Sequence, residues 1–200
     1  VCVAISSKYS LEVMQEFYDG IYTACKMYNI DLVGGDTTSS PKGMIISITA
    51  VGQAKKDKIV YRSGAKKGDI LCVTGDLGAA YLGLQILERE KQVYLAHPGV
   101  QPELDKSQYL IERQLKPEAQ RGAIEYFKRE KIVPTSMIDV SDGLASELLH
   151  ICNQSDVGAF IEEGKVPIHP DSELAALEFK LDPITCALHG GEDYELLFTI

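Results

Sequence analysis

Apolar residues fall at Met14, Phe17, Tyr18, Ile21, Cys25 and Tyr28, three or four apart, which is the spacing of one buried stripe along a helix. Val1 to Ser6 reads as a strand before it. After it, Ile30 to Val33 is a short apolar run stopped by Gly34 and Gly35, and Met44 to Gly52 alternates enough to be a strand. The expected order over the first fifty residues is strand, helix, strand, strand. Further on, Asp69 to Thr74 reads as a buried-type strand, Gly75-Asp76-Leu77-Gly78 as a turn and Ala79 to Arg89 as a helix. Pro117 is expected to open a helix running to about Lys131, because the N–H that proline lacks would be unpaired in a first turn anyway. Thr135 to Val140 reads as a strand feeding a helix from Asp142 to about Asn153, and Val157 to Glu162 and Tyr194 to Ile200 as two more strands. Strand-turn-helix units of this kind belong to α/β or α+β layers.

Composition narrows the picture. The 200 residues are 45% hydrophobic and 24% charged, an ordinary globular balance. Twenty basic against twenty-nine acidic residues leave a net charge of −9, which argues against a sequence-independent grip on nucleic acid or on an anionic membrane. No apolar run approaches the roughly 20 residues needed to cross a bilayer. Five cysteines without a Cys-x-x-Cys pair signal neither a disulfide framework nor a zinc site, and fit a reducing cytoplasm. Lys55 to Lys67 carries six basic residues against the single acid Asp57, and a domain junction is expected near it, dividing 1–54 from 55–200. With no initiator Met and a last strand that stops short, the chain reads as a fragment of a longer protein.

The candidate chemistry is carried by acids. In Met137 to Leu144 an apolar strand ends in Asp139, Ser141 and Asp142 just before a helix; alternation sends Asp139 and Ser141 to one side, and Asp142 sits where the first helical N–H groups point outward. Carboxylates there suit Mg²⁺, and the N–H groups suit a phosphate oxygen. The competing explanation, that Ser141 or Asp142 is an N-cap, accounts for one acid and leaves Asp139 without a role. Gly34-Gly35-Asp36-Thr37-Thr38 offers close backbone approach followed by a carboxylate and hydroxyls, though alone it would be a turn. Arg62 has the planar fork that suits a phosphate. Gly190-Gly191-Glu192-Asp193-Tyr194-Glu195 sets three acids against a strand, awkward unless they face a cleft or a cation. The four histidines lack metal-ligand spacing, and neither a P-loop nor a dinucleotide fingerprint occurs.

Taken in order, Gly34-Gly35-Asp36-Thr37, Arg62-Ser63-Gly64-Ala65, Thr74 to Gly78, Met137 to Leu144 and Gly190 to Leu196 resemble the thiamine-monophosphate kinases. These share a superfamily with aminoimidazole ribonucleotide synthetase, selenophosphate synthetase and a hydrogenase maturation factor, ATP users without a P-loop. The resemblance implies the end of an N-terminal α/β domain, which binds ATP and magnesium and pairs into a homodimer, over 1–54. It implies an α+β domain of the aminoimidazole ribonucleotide synthetase C-terminal type over 55–200, with the active site in the cleft between the two. It implies Mg²⁺ on Asp36, Asp139 and Asp142, ATP as co-substrate against Gly35, Asp36, Arg62 and Ser141, thiamine phosphate against Glu192, and catalytic roles for Asp139 and Asp142. Further magnesium-binding acids upstream and a substrate-contacting aromatic downstream belong to the family and lie outside this sequence. The implied reaction moves the γ-phosphoryl group of ATP to thiamine phosphate in the cytoplasm. A phosphate monoester with a second pKa near 6 needs no strong general base, which agrees with histidines that do not stand out. Two alternatives stay open from the residues: another ATP-using enzyme of the superfamily, and a non-catalytic nucleotide- or metal-binding module.

Overall fold

In the first fifty residues one apolar side chain is buried outright, Val3, on strand β1 (Cys2–Ile5). The computed structural model describes residues 1–200 as two units, Val1–Ala54 and Lys55–Ile200. In the first unit, helix α1 (Leu11–Tyr28) starts at Ser10, whose hydroxyl accepts from Val13 N–H, and stops at Asn29 in the left-handed conformation. All six residues of the expected stripe, from Met14 to Tyr28, are half-buried, so the helix lays that face down. The next strand is not at Ile30–Val33, where the sequence suggested one, but at β2 (Asp36–Ser39). Pairing with β1 begins at the glycines: Val1 N donates to Gly34 O at 2.9 Å, and a Cβ on Gly35 would collide with the Val1 carbonyl. β2 runs parallel to β1 in the register Cys2↔Asp36, and β3 (Ile45–Ser47) antiparallel on the other edge, giving the order β2-β1-β3.

The second unit is built on an antiparallel sheet of β4 (Leu71–Val73), β5 (Ser136–Val140) and β6 (Glu195–Thr199), in the order β4-β6-β5. Alternation along β5 sends Ser136, Ile138 and Val140 inward and Asp139 outward. Its inner side chains meet helices α5 (Leu144–Ser155) and α7 (Pro183–His189) in a core that includes Leu77, Leu148, Ile151 and Leu197. A second core, of Ala79, Leu82, Ile86, Leu110, Ala175 and Cys186, joins helices α2 (Ala79–Ala96), α3 (Gln108–Leu115) and α6 (Pro170–Glu178) to α7. Phe127, on α4 (Arg121–Glu130), packs edge-on against Phe198.

Two further sequence expectations fail for definable reasons. Pro117 ends α3 instead of opening α4, as proline commonly does just past a helix C-cap, and α4 begins at Arg121. No strand forms over Val157–Glu162: the free edge of β5 is already used by Tyr61, whose carbonyl accepts from Met137 N–H, and Val157 and Ile161 cover the first core without a ladder.

Beneath the sheet end lies a buried ionic group. Glu195, 2% exposed, accepts from Arg113 Nη1 at 2.8 Å and from the Thr74 hydroxyl at 2.5 Å; Arg113 Nη2 also donates to Asp76 O. Removing the cation would leave Glu195 buried without compensation, a change that costs about 3–5 kcal/mol in such settings. Arg113→Ala is therefore expected to lower the unfolding free energy by that order in urea titrations; a loss within about 0.5 kcal/mol would show that the pair is not a structural bond.

Candidate active site

The end of β5 and the loop before β6 meet at the backbone. Glu192 N–H donates to Ser141 O and Tyr194 N–H to Val140 O, each at 2.8 Å. A side chain on Gly191 would overlap the Ser141 carbonyl, so this close approach requires glycine. Glu192 and Tyr194 both take positive φ, 71° and 52°, unusual for residues with side chains. Asp193 between them turns inward while they stay exposed. Its carboxylate accepts from Gly78 N–H at 2.7 Å and Ala80 N–H at 3.1 Å, closing the N-terminal turn of α2. Of the three acids flagged in that motif, Asp193 and Glu195 thus serve the fold, and the cation that Glu195 faces is Arg113; Glu192 alone is free to act outside.

A groove of about 450 Å³ lies along the outer face of β5 and is lined by Arg62, Asp139, Ser141, Asp142, Glu147 and His150, among others. The structure therefore brings Arg62 to the same groove as Asp139, Ser141 and Asp142, and none of these three charged side chains is in an ion pair. Neither Ser141 nor Asp142 caps α5: Gly143 is the N-cap residue, with no side-chain acceptor, so capping does not account for either residue. The sequence reading missed Glu147. It is 3% exposed, and its Oε1 accepts from Asp142 N–H at 3.1 Å and from the Ser141 hydroxyl at 3.4 Å, holding both residues in place. An acid one turn into a helix, flanked by Leu144 and Leu148, was the available signal. On the loop tied to the end of β5, Tyr194 donates its hydroxyl to Glu192 Oε2 at 2.9 Å. That bond raises the Tyr194 pKa, and burial and the negative charges of Glu192, Asp139 and Asp142 raise it further, so the phenol stays protonated at neutral pH.

Gly35 and Asp36 belong to the first unit. They line a hollow of about 640 Å³ with Val1, Tyr18, Val33 and Thr37, and Asp36 Oδ1 accepts from Thr37 N–H at 2.9 Å.

The geometry defines a kind of protein before it defines a particular one: an acid-lined groove at the end of an antiparallel sheet, on a chain with the AIR-synthase-like fold. Residues 1–54 match the family described as AIR synthase related protein, N-terminal domain. Over all of its length the chain is similar to thiamine-monophosphate kinases. It is 34% identical to that of Bacillus subtilis across 203 residues, covering 100% of this chain and 58% of the relative. The crystal structure of thiamine monophosphate kinase from Aquifex aeolicus superposes with a TM-score of 0.80 at 30% identity, covering 99% of this chain and 63% of that one. AaThiL complexed with AMPPCP and TMP gives a TM-score of 0.79 at 30% identity, over 99% and 59%. The chain thus spans about 60% of the length of these relatives.

Burial pushes the Asp193 carboxyl up to about 6, against the backbone N–H groups of Gly78 and Ala80 and the Arg113 charge, which favour its ionised form. A proton thus binds the folded protein more tightly than the unfolded chain. The stability that this group contributes is fully present below about pH 4 and lost as the pH rises through about 6. In Asp193→Asn, unfolding free energy measured from pH 4 to 7 should lose that downward component, up to about 1.4 kcal/mol per pH unit between 4 and 6. An unchanged slope would mean the carboxyl titrates alike in both states.

Proposed function

We propose that the intact protein transfers the γ-phosphoryl group of ATP to thiamine phosphate, giving thiamine diphosphate and ADP. The observation that carries this reading is the meeting of Arg62, Asp139, Ser141 and Asp142 on one groove, in a chain similar over its whole length to a protein complexed with AMPPCP and TMP. In this reading residues 1–54 are the C-terminal portion of an ATP- and magnesium-binding domain and 55–200 most of an α+β domain. The first unit exposes Ile45, Ile46 and Ile48, which supports self-association through that unit as a homodimer. Five free cysteines suit a cytoplasmic enzyme.

Magnesium is implied by the family, and the donors fit it. No three His, Cys, Asp or Glu side chains converge to cage a metal, but Mg²⁺ is ordinarily held by one or two carboxylates together with waters and substrate phosphates. Asp139 and Asp142 are two exposed hard-oxygen donors of that kind, and Asp36 of the first unit is assigned the same role. When bound, the ion supplies positive charge to the phosphate oxygens of the nucleotide. The remaining work falls to the chain. Arg62 offers a planar fork to a phosphate, Ser141 turns its hydroxyl proton from Glu147 to a nucleotide oxygen, and Gly35 allows the backbone close to the nucleotide. Glu192 contacts the acceptor. One acceptor phosphate oxygen attacks the γ-phosphorus as the bond to the β–γ bridging oxygen breaks, and the electron pair leaves with ADP. An acceptor already mostly dianionic at neutral pH needs no base, so Asp139 and Asp142 act through charge and position.

The intact protein is expected to make thiamine diphosphate from thiamine phosphate and ATP, and to stop in excess chelator; undiminished product with chelator present would remove the metal from the account. Because Asp142 is exposed and caps nothing, Asp142→Asn should leave unfolding free energy within about 0.5 kcal/mol. Turnover should fall on the order of a hundredfold, since a neutral amide is a poor ligand for a hard cation. Near-normal turnover at every magnesium concentration would refute the assignment. For Arg62→Ala, an ATP KM about tenfold higher in a fully folded protein is expected, the loss of a charge-assisted contact. An unchanged ATP dependence would return Arg62 to the surface.

A further inference from the structure

Tyr194 shares a loop with Glu192 and has no part in the transfer chemistry, yet the loop is built to aim it. The N–H groups of both residues are tied to the end of β5, both backbones sit at positive φ, and Asp193 between them is anchored to the first turn of α2. The two side chains therefore leave a clamped backbone on the exposed side. A glutamate there has three torsions to itself; what limits Glu192 is the phenol, whose O–H donates to Oε2 at 2.9 Å. Oε1 makes no hydrogen bond within the chain. A carboxylate only accepts, so the free oxygen suits an N–H-bearing or cationic part of the acceptor and not its phosphate.

We propose that Tyr194 is a positioning residue for substrate specificity: its hydroxyl fixes the Glu192 carboxylate so that Oε1 faces the N–H-bearing or cationic part of the phosphorylated acceptor. This rests on the reading of the intact protein as a thiamine phosphate kinase. Tyr194→Phe keeps the ring and deletes only the hydroxyl, so it separates aiming from packing. Steady-state kinetics of the intact protein, varying each substrate in turn, should show the KM for thiamine phosphate rising about tenfold with kcat falling less than threefold and the KM for ATP unmoved. A hydrogen bond to a charged group is of the size needed for that change. Glu192→Gln should raise the same KM, and the double variant should be no worse than Glu192→Gln alone, because the hydroxyl acts only through that carboxylate. An unchanged thiamine phosphate KM in Tyr194→Phe, a parallel rise in both KM values, or additive penalties in the double variant would overturn the proposal while leaving the kinase reading intact. A wild-type protein that does not phosphorylate thiamine phosphate would instead overturn the kinase reading, and this inference with it.

Discussion

The inward turn of Asp193 is the constraint on which the second unit depends. A carboxylate 1% exposed has to be satisfied, and here it is satisfied by backbone N–H groups of Gly78 and Ala80, at the mouth of α2. That bond ties the loop before β6 to the helix layer. The N–H groups on either side of Asp193 tie the same loop to β5. Helix, loop and sheet are thus fixed to one another within three residues, and the residues facing outward, Glu192 and Tyr194, inherit that rigidity. Binding groups held on rigid elements lose little entropy when they engage a ligand.

The surplus of acid separates into two populations with opposite requirements. Asp193, Glu195 and Glu147 are buried and each has its partners: backbone N–H groups, Arg113 with Thr74, and the Ser141–Asp142 segment. Asp139 and Asp142 are exposed at the groove that Arg62 also lines, and neither they nor the exposed Glu192 is held in an ion pair. Like charges gathered in this way repel one another, and a fold keeps them together only through the backbone that carries them. A bound cation lowers that repulsion, so the arrangement suits a divalent ion shared with a phosphate-bearing ligand.

Much of this was legible in the residues, and what was not has a physical cause. The stripe from Met14 to Tyr28 marked the face that α1 lays down, because a helix exposes its periodicity locally. Strands were harder: Ile30–Val33 and Val157–Glu162 have strand-like composition, but pairing requires a free edge that no local pattern reveals. Helices α6 and α7 carried readable signals, His169-Pro170 and Asp182-Pro183, a cap residue followed by proline at the first position, and were nonetheless not foreseen. The acids of the last motif stood out, but the cation that Glu195 needs, Arg113, sits on α3, a helix without a distinct sequence signature. Asp139, Ser141 and Asp142 were visible as a group because they are neighbours in sequence, whereas the arrival of Arg62 beside them is a property of the folded sheet.

The claim at the centre is that a metal–nucleotide complex is held by the exposed acids at the end of β5 and not by the buried ones around Arg113. Paramagnetic line broadening in the intact protein tests it directly, with manganese substituted for magnesium in the presence of a non-hydrolysable ATP analogue. Amide resonances of residues 139–143 should broaden first within the second unit, while those of 109–113 on α3 keep their line widths. Broadening centred on α3, or spread evenly over the second unit, would contradict the account.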